Sequence, residues 1–177
     1  MRVFRLSAAV VALALPLFAA TAASLQIAKS SSVVADQVST LNPRALPGSD
    51  IDFALVVTNP TQNALATVGK VVIVDTIPIQ ARLRVTDYGA AGSGPVGFTD
   101  GSLLGLGLAG SGLTYGFAGL ASATDGLEFS TDGSNWTYTP VPDAGGFDGR
   151  VRAIRVTLSG TQAPASAFRL QYRTRLN

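Results

Sequence analysis

Few residues in this 177-residue chain are able to do chemistry, and several familiar types are missing. There is no His and no Cys. That removes the commonest general base, the commonest metal ligand, the thiolate nucleophile and the disulfide. What remains is 11 carboxylates, 13 Lys and Arg, and a small set of aromatics. Asp50 and Asp52 lie two apart in an alternating segment, so their carboxylates point the same way. Such a pair is half of a calcium site, but calcium takes about six to eight oxygens and no further ligands are spaced to supply them. The plainer reading is a solvated strand edge. Asp125, Glu128 and Asp132 make a second acidic group, yet Asp132-Gly133 is better explained as a turn. A glycosidase needs two carboxylates about 5–9.5 Å apart, and 11 acids offer such a pair by chance alone. A Ser nucleophile would need a base other than His, and no Ser-x-x-Lys pattern occurs. No catalytic residue, metal ligand or cofactor site is therefore assigned.

Two other groups suggest recognition rather than turnover. Arg169, Gln171, Arg173 and Arg175 alternate with apolar residues and so share one face of a strand. Arg155 is expected to join them from a neighbouring strand, with acids such as Asp87 or Asp100 lying between the cations. The plain reading is a solvated outer face. The functional one is a basic face for the acidic surface of another subunit or for an anionic envelope glycan. Trp136 and Tyr138 also share a face and, with Tyr115, would suit stacking against sugar rings. Core packing is the commoner fate of such a pair.

The elements that must position these residues begin after an export signal. Arg2 and Arg5 precede an apolar run from Leu6 to Ala20, and Ala20-Thr21-Ala22 places small residues where a signal peptidase cuts. The run is too short for the ~20 residues of a spanning helix and contains Pro16. Residues 1–22 are read as a signal-peptide helix, and no later run is long and apolar enough to cross a membrane. Loss of Arg2 and Arg5 leaves 11 bases against 11 acids, so a nucleic-acid partner has no electrostatic basis.

Period-two alternation dominates the rest. Ile51, Phe53, Leu55 and Val57 alternate with Asp52, Ala54, Val56 and Thr58, between the turn signals Pro47-Gly48 and Asn59-Pro60. Lys70 to Thr76 is a β-branched run that reads as a more fully buried strand, and Leu83 to Thr86 as a short third one. Leu127–Ser130 and Trp136–Thr139 read as a hairpin around Asp132-Gly133. Its Ser130 to Trp136 stretch resembles the Asp-box of sialidase propellers, but it is one residue short and occurs once. Arg152 to Leu158 and Phe168 to Leu176 are two further strands, expected to pair or to share a sheet. Residues 89–119 include 11 Gly among 31 residues, mixed with Leu103, Leu104, Leu106, Leu108 and Leu113. That composition suggests a long mobile connection, or an interaction loop whose leucines bury against a neighbour.

Within residues 29–85 the features fall in a familiar order: Lys29 in a first strand (IAKSSSVV), Pro47-Gly48-Ser49-Asp50, a strand ending in Val57-Thr58-Asn59, then Asp75-Thr76-Ile77-Pro78. The order resembles the conserved repeat domain of bacterial and archaeal surface proteins, the eleventh domain of unknown function. That family's signature runs Pro-Gly-Asp, a strand ending in Thr-Asn, then Asp-x-Leu-Pro. Here the aspartate is displaced to Asp50, Ile77 stands for Leu, and Pro60 replaces the usual Gly. The resemblance implies an immunoglobulin-like sandwich at a cell surface or in an extracellular assembly, and no catalytic residues.

The expectation is thus all-β: an immunoglobulin-like antiparallel β-sandwich over residues 23–177, with a Gly-rich long loop, behind a signal-peptide helix. The expected role is a non-catalytic structural protein of the periplasm, cell surface or exterior. It would act through protein partners or self-association, the Leu25–Val34 arm pairing with an edge of the next subunit. Leu25, Ile27, Leu103, Leu104, Arg155, Arg169, Arg173 and Arg175 are the candidate interaction residues. A glycan-binding or adhesive module is the second reading and a glycan-processing enzyme the third.

Overall fold

The structure is a computed structural model that describes residues 22–177 apart from 65, 67 and 105–108. Residues 1–21 of the expected signal helix (1–22), and Leu106 and Leu108, lie outside the described residues. The described chain is all-β, and its strand ladders are antiparallel.

The largest sheet is built on period-two segments. β1 (Gln26–Ala35) pairs with β2 (Asp50–Asn59) from Gln26↔Thr58 to Ala35↔Asp50, with a bulge near Val33. β2 in turn pairs with β12 (Ser166–Leu176), from Ser166↔Asn59 to Arg175↔Asp50. β12 then meets β5 (Ala81–Arg84) at one end and β6 (Val96–Asp100) at the other. β9 (Phe147–Asp148) extends β5. A second sheet runs β4 (Val72–Thr76), β10 (Ala153–Thr157), β8 (Leu127–Ser130). A small third one joins β3 (Val68–Gly69), β11 (Ser159–Gln162) and β7 (Leu113–Thr114).

One apolar cluster is filled from both larger sheets. Leu55, Val57, Leu83, Phe168, Leu170 and Tyr172 come from the first; Ile73, Leu127, Phe129, Ile154 and Val156 from the second. Alternation explains the selection: from Phe168 onward in β12 the buried residues are Phe168, Leu170, Tyr172 and Thr174, while the arginines and Gln171 take the other face. The Leu46–Ser49 turn supports the start of β2. Pro47 sets its first corner, Gly48 takes φ +83°, and the Ser49 N–H donates to the Leu46 carbonyl at 2.9 Å.

Four expectations need correction. β10 and β12 do not pair or share a sheet; they sit in different sheets, because β12 is flanked by β2 on one side and by β5 and β6 on the other. β4 is not fully buried: it is an edge strand, and Val72 and Val74 are exposed on its outer face. The Asp132 hairpin reduces to a single bridge, Phe129↔Tyr138, because β8 pairs with β10 instead. Finally, residues 89–119 are not one long loop. They contain β6 and β7, and Val96 and Leu113 enter the core while Phe98 packs on Phe168. Glycine makes this possible by allowing close approach. A Cβ at Gly101 would collide with the Ala167 carbonyl oxygen of β12.

Candidate interaction surface

The arginine face, the aromatic set and the Leu25–Val34 arm singled out by sequence fall on different parts of the molecule. On the outer face, Arg173 and Arg175 stand directly opposite Asp52 and Asp50 in the β12–β2 ladder. Both pairs are bidentate. Arg173 donates from Nε and Nη2 to Asp52 at 2.6 and 2.9 Å, and Arg175 donates likewise to Asp50 at 2.6 and 3.0 Å. These carboxylate hydrogen bonds raise both guanidinium pKa values above the ordinary arginine range. The Tyr88 hydroxyl donates to Asp52 at 3.0 Å. The Arg175 guanidinium lies 4.2 Å from the centre of the Phe147 ring. The acids interleaved with the arginines are therefore Asp50 and Asp52, not Asp87 or Asp100. Asp87 instead accepts the N–H groups of Gly92 and Gly94, and Asp100 accepts Ser102 and Ser111. Arg169 is half-buried between Val56 and Thr99, and its Nε finds no acceptor among the described residues.

Arg155 does not join this group. It belongs to β10, on the outer face of the other sheet, where it makes a bidentate pair with Glu128 at 2.6 and 2.6 Å and covers the Trp136 ring at 4.7 Å. Arg150 lies 5.1 Å from the Tyr138 ring centre, and the Tyr138 hydroxyl donates to the buried Asp148 at 2.7 Å. Burial, with that hydrogen bond, raises the Tyr138 pKa. Trp136 and Tyr138 thus line a depression of about 220 Å³ with guanidinium groups beside their rings rather than open ring faces. Tyr115 is removed from them, its hydroxyl enclosed and its pKa pushed up by burial.

The whole set of carboxylates can be accounted for. All 11 make hydrogen bonds inside the molecule: Asp50, Asp52, Asp75 and Glu128 to cationic side chains, the other seven chiefly to backbone N–H groups or hydroxyls. Four backbone and side-chain donors around Asp132 hold its carboxyl well below the usual range, and Asp36 is lowered by the N–H groups of Arg44, Ser39 and Val38. Among the described residues no three metal-ligating side chains converge.

The edge at β1 is built differently. The side chains of Gln26 to Ser32 are exposed, and Ile27 is 55% exposed. β1 is held by a few addressed contacts. Leu25 packs against the core cluster. The backbone of Ala23 is clasped at both polar atoms by the buried Asn63 amide: its N–H donates to Oδ1 at 2.7 Å, and its carbonyl accepts from Nδ2 at 2.8 Å. Asn63 also donates to Asn59 Oδ1 at 2.7 Å, and Asn59 donates in turn to the Gln162 and Ala163 carbonyls. Asn59 therefore works as a long-range tie, beyond the local strand-closing role its position suggests. Midway along β1, Lys29 crosses to the second sheet. Its Nζ is 2.6 Å from Asp75 Oδ1 and 4.9 Å from the Phe53 ring centre. The Tyr172 hydroxyl donates to Asp75 Oδ2 at 2.8 Å. Burial first, and the Asp75 charge second, push the Tyr172 pKa far upward.

Of the expected residues, Leu25 and Ile27 lie on this edge, while Leu104 is half-buried after the short 3-10 turn Gly101–Leu103. The Leu103 side chain lies outside the described set. Sequence reasoning missed Asn63, Asp75 and Tyr172 as a group. A signal existed in parity: Val71, Ile73 and Asp75 alternate onto the core side, and a carboxylate placed there must find partners. Compared with known proteins, the chain matches no family model, no curated relative and no solved structure.

Proposed function

We propose that this chain is an exported, non-catalytic structural module, and that it works by protein contact, assembling through the edge of its larger sheet. The observation that carries this reading is β1. It is a ten-residue edge strand, and among the described residues its backbone pairs on one side only, with β2. An edge of that length is a template for a strand from another chain. Its one charged side chain, Lys29, is turned toward the second sheet, so it does not guard the free side. The absence of His and Cys from the sequence supports a non-catalytic role, since the commonest general base and the thiolate nucleophile are both missing. The leader-like segment 1–22 and the motif order of residues 29–85 point toward the cell envelope or beyond, and we read the sandwich as immunoglobulin-like on the same grounds.

Light scattering and electron microscopy on the purified protein test this directly. The expected result is a mass that rises with concentration to defined multiples of one chain. A single-chain mass at every concentration overturns the reading.

A further inference from the structure

We infer that residues 23–35 form an exchangeable strand, and that the site they occupy receives the same strand from a second copy of this chain. The inference rests on the assembly reading above and specifies its mode.

The site is a built receptor for one segment. It has a backbone ladder along β2, with Ile27 opposite Val57 and Val33 opposite Ile51. At one end the buried Asn63 amide reads the backbone of Ala23 on both its donor and its acceptor. Beside that clamp, Leu25 is an apolar anchor on the core. In the middle, Asp75 and the rings of Phe53 and Tyr172 form a socket for the Lys29 ammonium. A ladder, an anchor and a charge socket, in a fixed register, are how an added strand is recognised by a sheet. Each part is addressed to residues 23–35, and a second copy carries those residues unchanged. That identity selects the occupant.

The strand is also cheap to release. From Gln26 to Ser32 its side chains are exposed in place, so leaving uncovers little apolar surface of its own. Whatever is lost on opening is regained bond for bond in the neighbour's identical site, which leaves concentration to decide the balance. The connection 36–49 is long enough to hand the strand over: its 14 residues, fully extended, span roughly 45–50 Å. Within this connection Asp36 accepts the N–H groups of Val38, Ser39 and Arg44, and the Ser49 hydroxyl donates to the Arg44 carbonyl, so extending it gives up these local bonds. Its far end is anchored to β12 by the Gly48 N–H on the Leu176 carbonyl and the Leu176 N–H on the Ser49 carbonyl. Residues 36–47, between β1 and that anchor, are the hinge. Reciprocal exchange closes a two-fold dimer; serial exchange extends a filament.

The chain has no Cys, which allows a clean test. Ser30 and Ala54 are register partners on the outer face of the sheet. Ser30→Cys and Ala54→Cys chains, carrying different tags, are unfolded together, refolded at high concentration and mildly oxidised. The expected result is a disulfide between the two different chains as the main linked product, increasing with concentration. The pair Ala28→Cys with Val56→Cys, also register partners, repeats the test with other side chains. Three results overturn the inference. Association without either mixed link overturns exchange and leaves assembly standing. Linking of Ser30→Cys chains only to one another points to edge-on-edge pairing of two β1 strands, with the same consequence. A single-chain mass throughout, with no disulfide between chains, overturns exchange and assembly together.

Discussion

Lys29 and Asp75 meet at 2.6 Å from different sheets, one on the exposed edge strand and one at the end of β4. The two are unequal partners. Asp75 is 11% exposed at its side chain and also accepts the buried Tyr172 hydroxyl, whereas Lys29 is 36% exposed. Asp75→Ala therefore strands a buried hydroxyl and is expected to cost about 1–3 kcal/mol. Lys29→Ala removes a charge that still reaches solvent and leaves Asp75 its Tyr172 donor, and is expected to cost roughly 0–1 kcal/mol. Urea denaturation of the two variants checks this, and equal losses would contradict the asymmetry.

The Arg173–Asp52 and Arg175–Asp50 pairs are direct cross-strand neighbours on a half-buried face. Each is expected to contribute about 0.2–1 kcal/mol, falling as salt is added. Asp52→Ala should cost more than Asp50→Ala, because Asp52 also holds the Tyr88 hydroxyl. Denaturation at low and at high salt measures both effects. A loss that does not respond to salt would mean that packing, not charge, holds this face.

Phe168 is fully buried, and its ring centre lies 5.9 Å from that of Phe98. Phe168→Ala is expected to cost about 3–5 kcal/mol. Leu41→Ala is expected to change stability by less than about 0.5 kcal/mol, since Leu41 is 98% exposed. Thermal unfolding of the pair separates a core position from a surface one of the same apolar class.

Gly101 and Gly116 make a matched contrast in the Gly-rich stretch. A Cβ at Gly101 meets the backbone oxygens of Ala167 and Ala109, while one at Gly116 meets nothing within 4 Å. Gly101→Ala is expected to destabilise by about 1–3 kcal/mol through forced backbone shifts. Gly116→Ala is expected to be neutral or to stabilise by about 0.4–1 kcal/mol. If the two variants unfold at the same denaturant concentration, β6 is not seated against β12 as described.

Stability should respond to acid and ignore the neutral range. The Ser111 hydroxyl, first among its partners, holds the Asp100 carboxyl down to about 2 from an ordinary 3.8. Asp36, Asp87, Asp132 and Asp143 are lowered as well, chiefly by backbone N–H donors. A carboxyl lowered in the folded state means that the unfolded chain binds more protons in this window, so stability rises with pH there. It is fully present above pH 3.8 and is lost as pH falls toward about 2. No side chain of the imidazole or thiol type is present to titrate near neutrality. Thermal midpoints between pH 5 and 8 should be nearly flat, and Asp100→Asn should weaken the acid dependence. A steep slope at pH 6–7 would contradict this, because the sequence holds no His or Cys to titrate there.

How far the fold could be read from sequence depended on whether the signal was local. The alternation of Ile51 to Val57 and of Phe168 to Leu176 is local, and both segments are strands with the expected faces. The Pro47-Gly48 turn and the end of β4 before Ile77-Pro78 were legible for the same reason. Strand neighbours are not a local property, so the separation of β10 from β12 was missed. β6 was hidden because Gly97 and Gly101 read as loop, although here they let the strand approach Tyr88 and β12 closely. The Asp50 and Asp52 pairs were out of reach for a related reason. The two acids and their arginines were each visible, but Arg173 and Asp52 are 121 residues apart, and only register brings them together.

β12 touches β2, β5 and β6, and its partners were all synthesised long before it. Until Ser166–Leu176 has been made, β2 lacks one flank, and β5 and β6 have no common neighbour to bridge them. A chain wired in this way has high contact order and folds slowly, because closure of very long loops must precede the central ladder. During vectorial synthesis the larger sheet is therefore expected to close only when nearly all of the described sequence has been made.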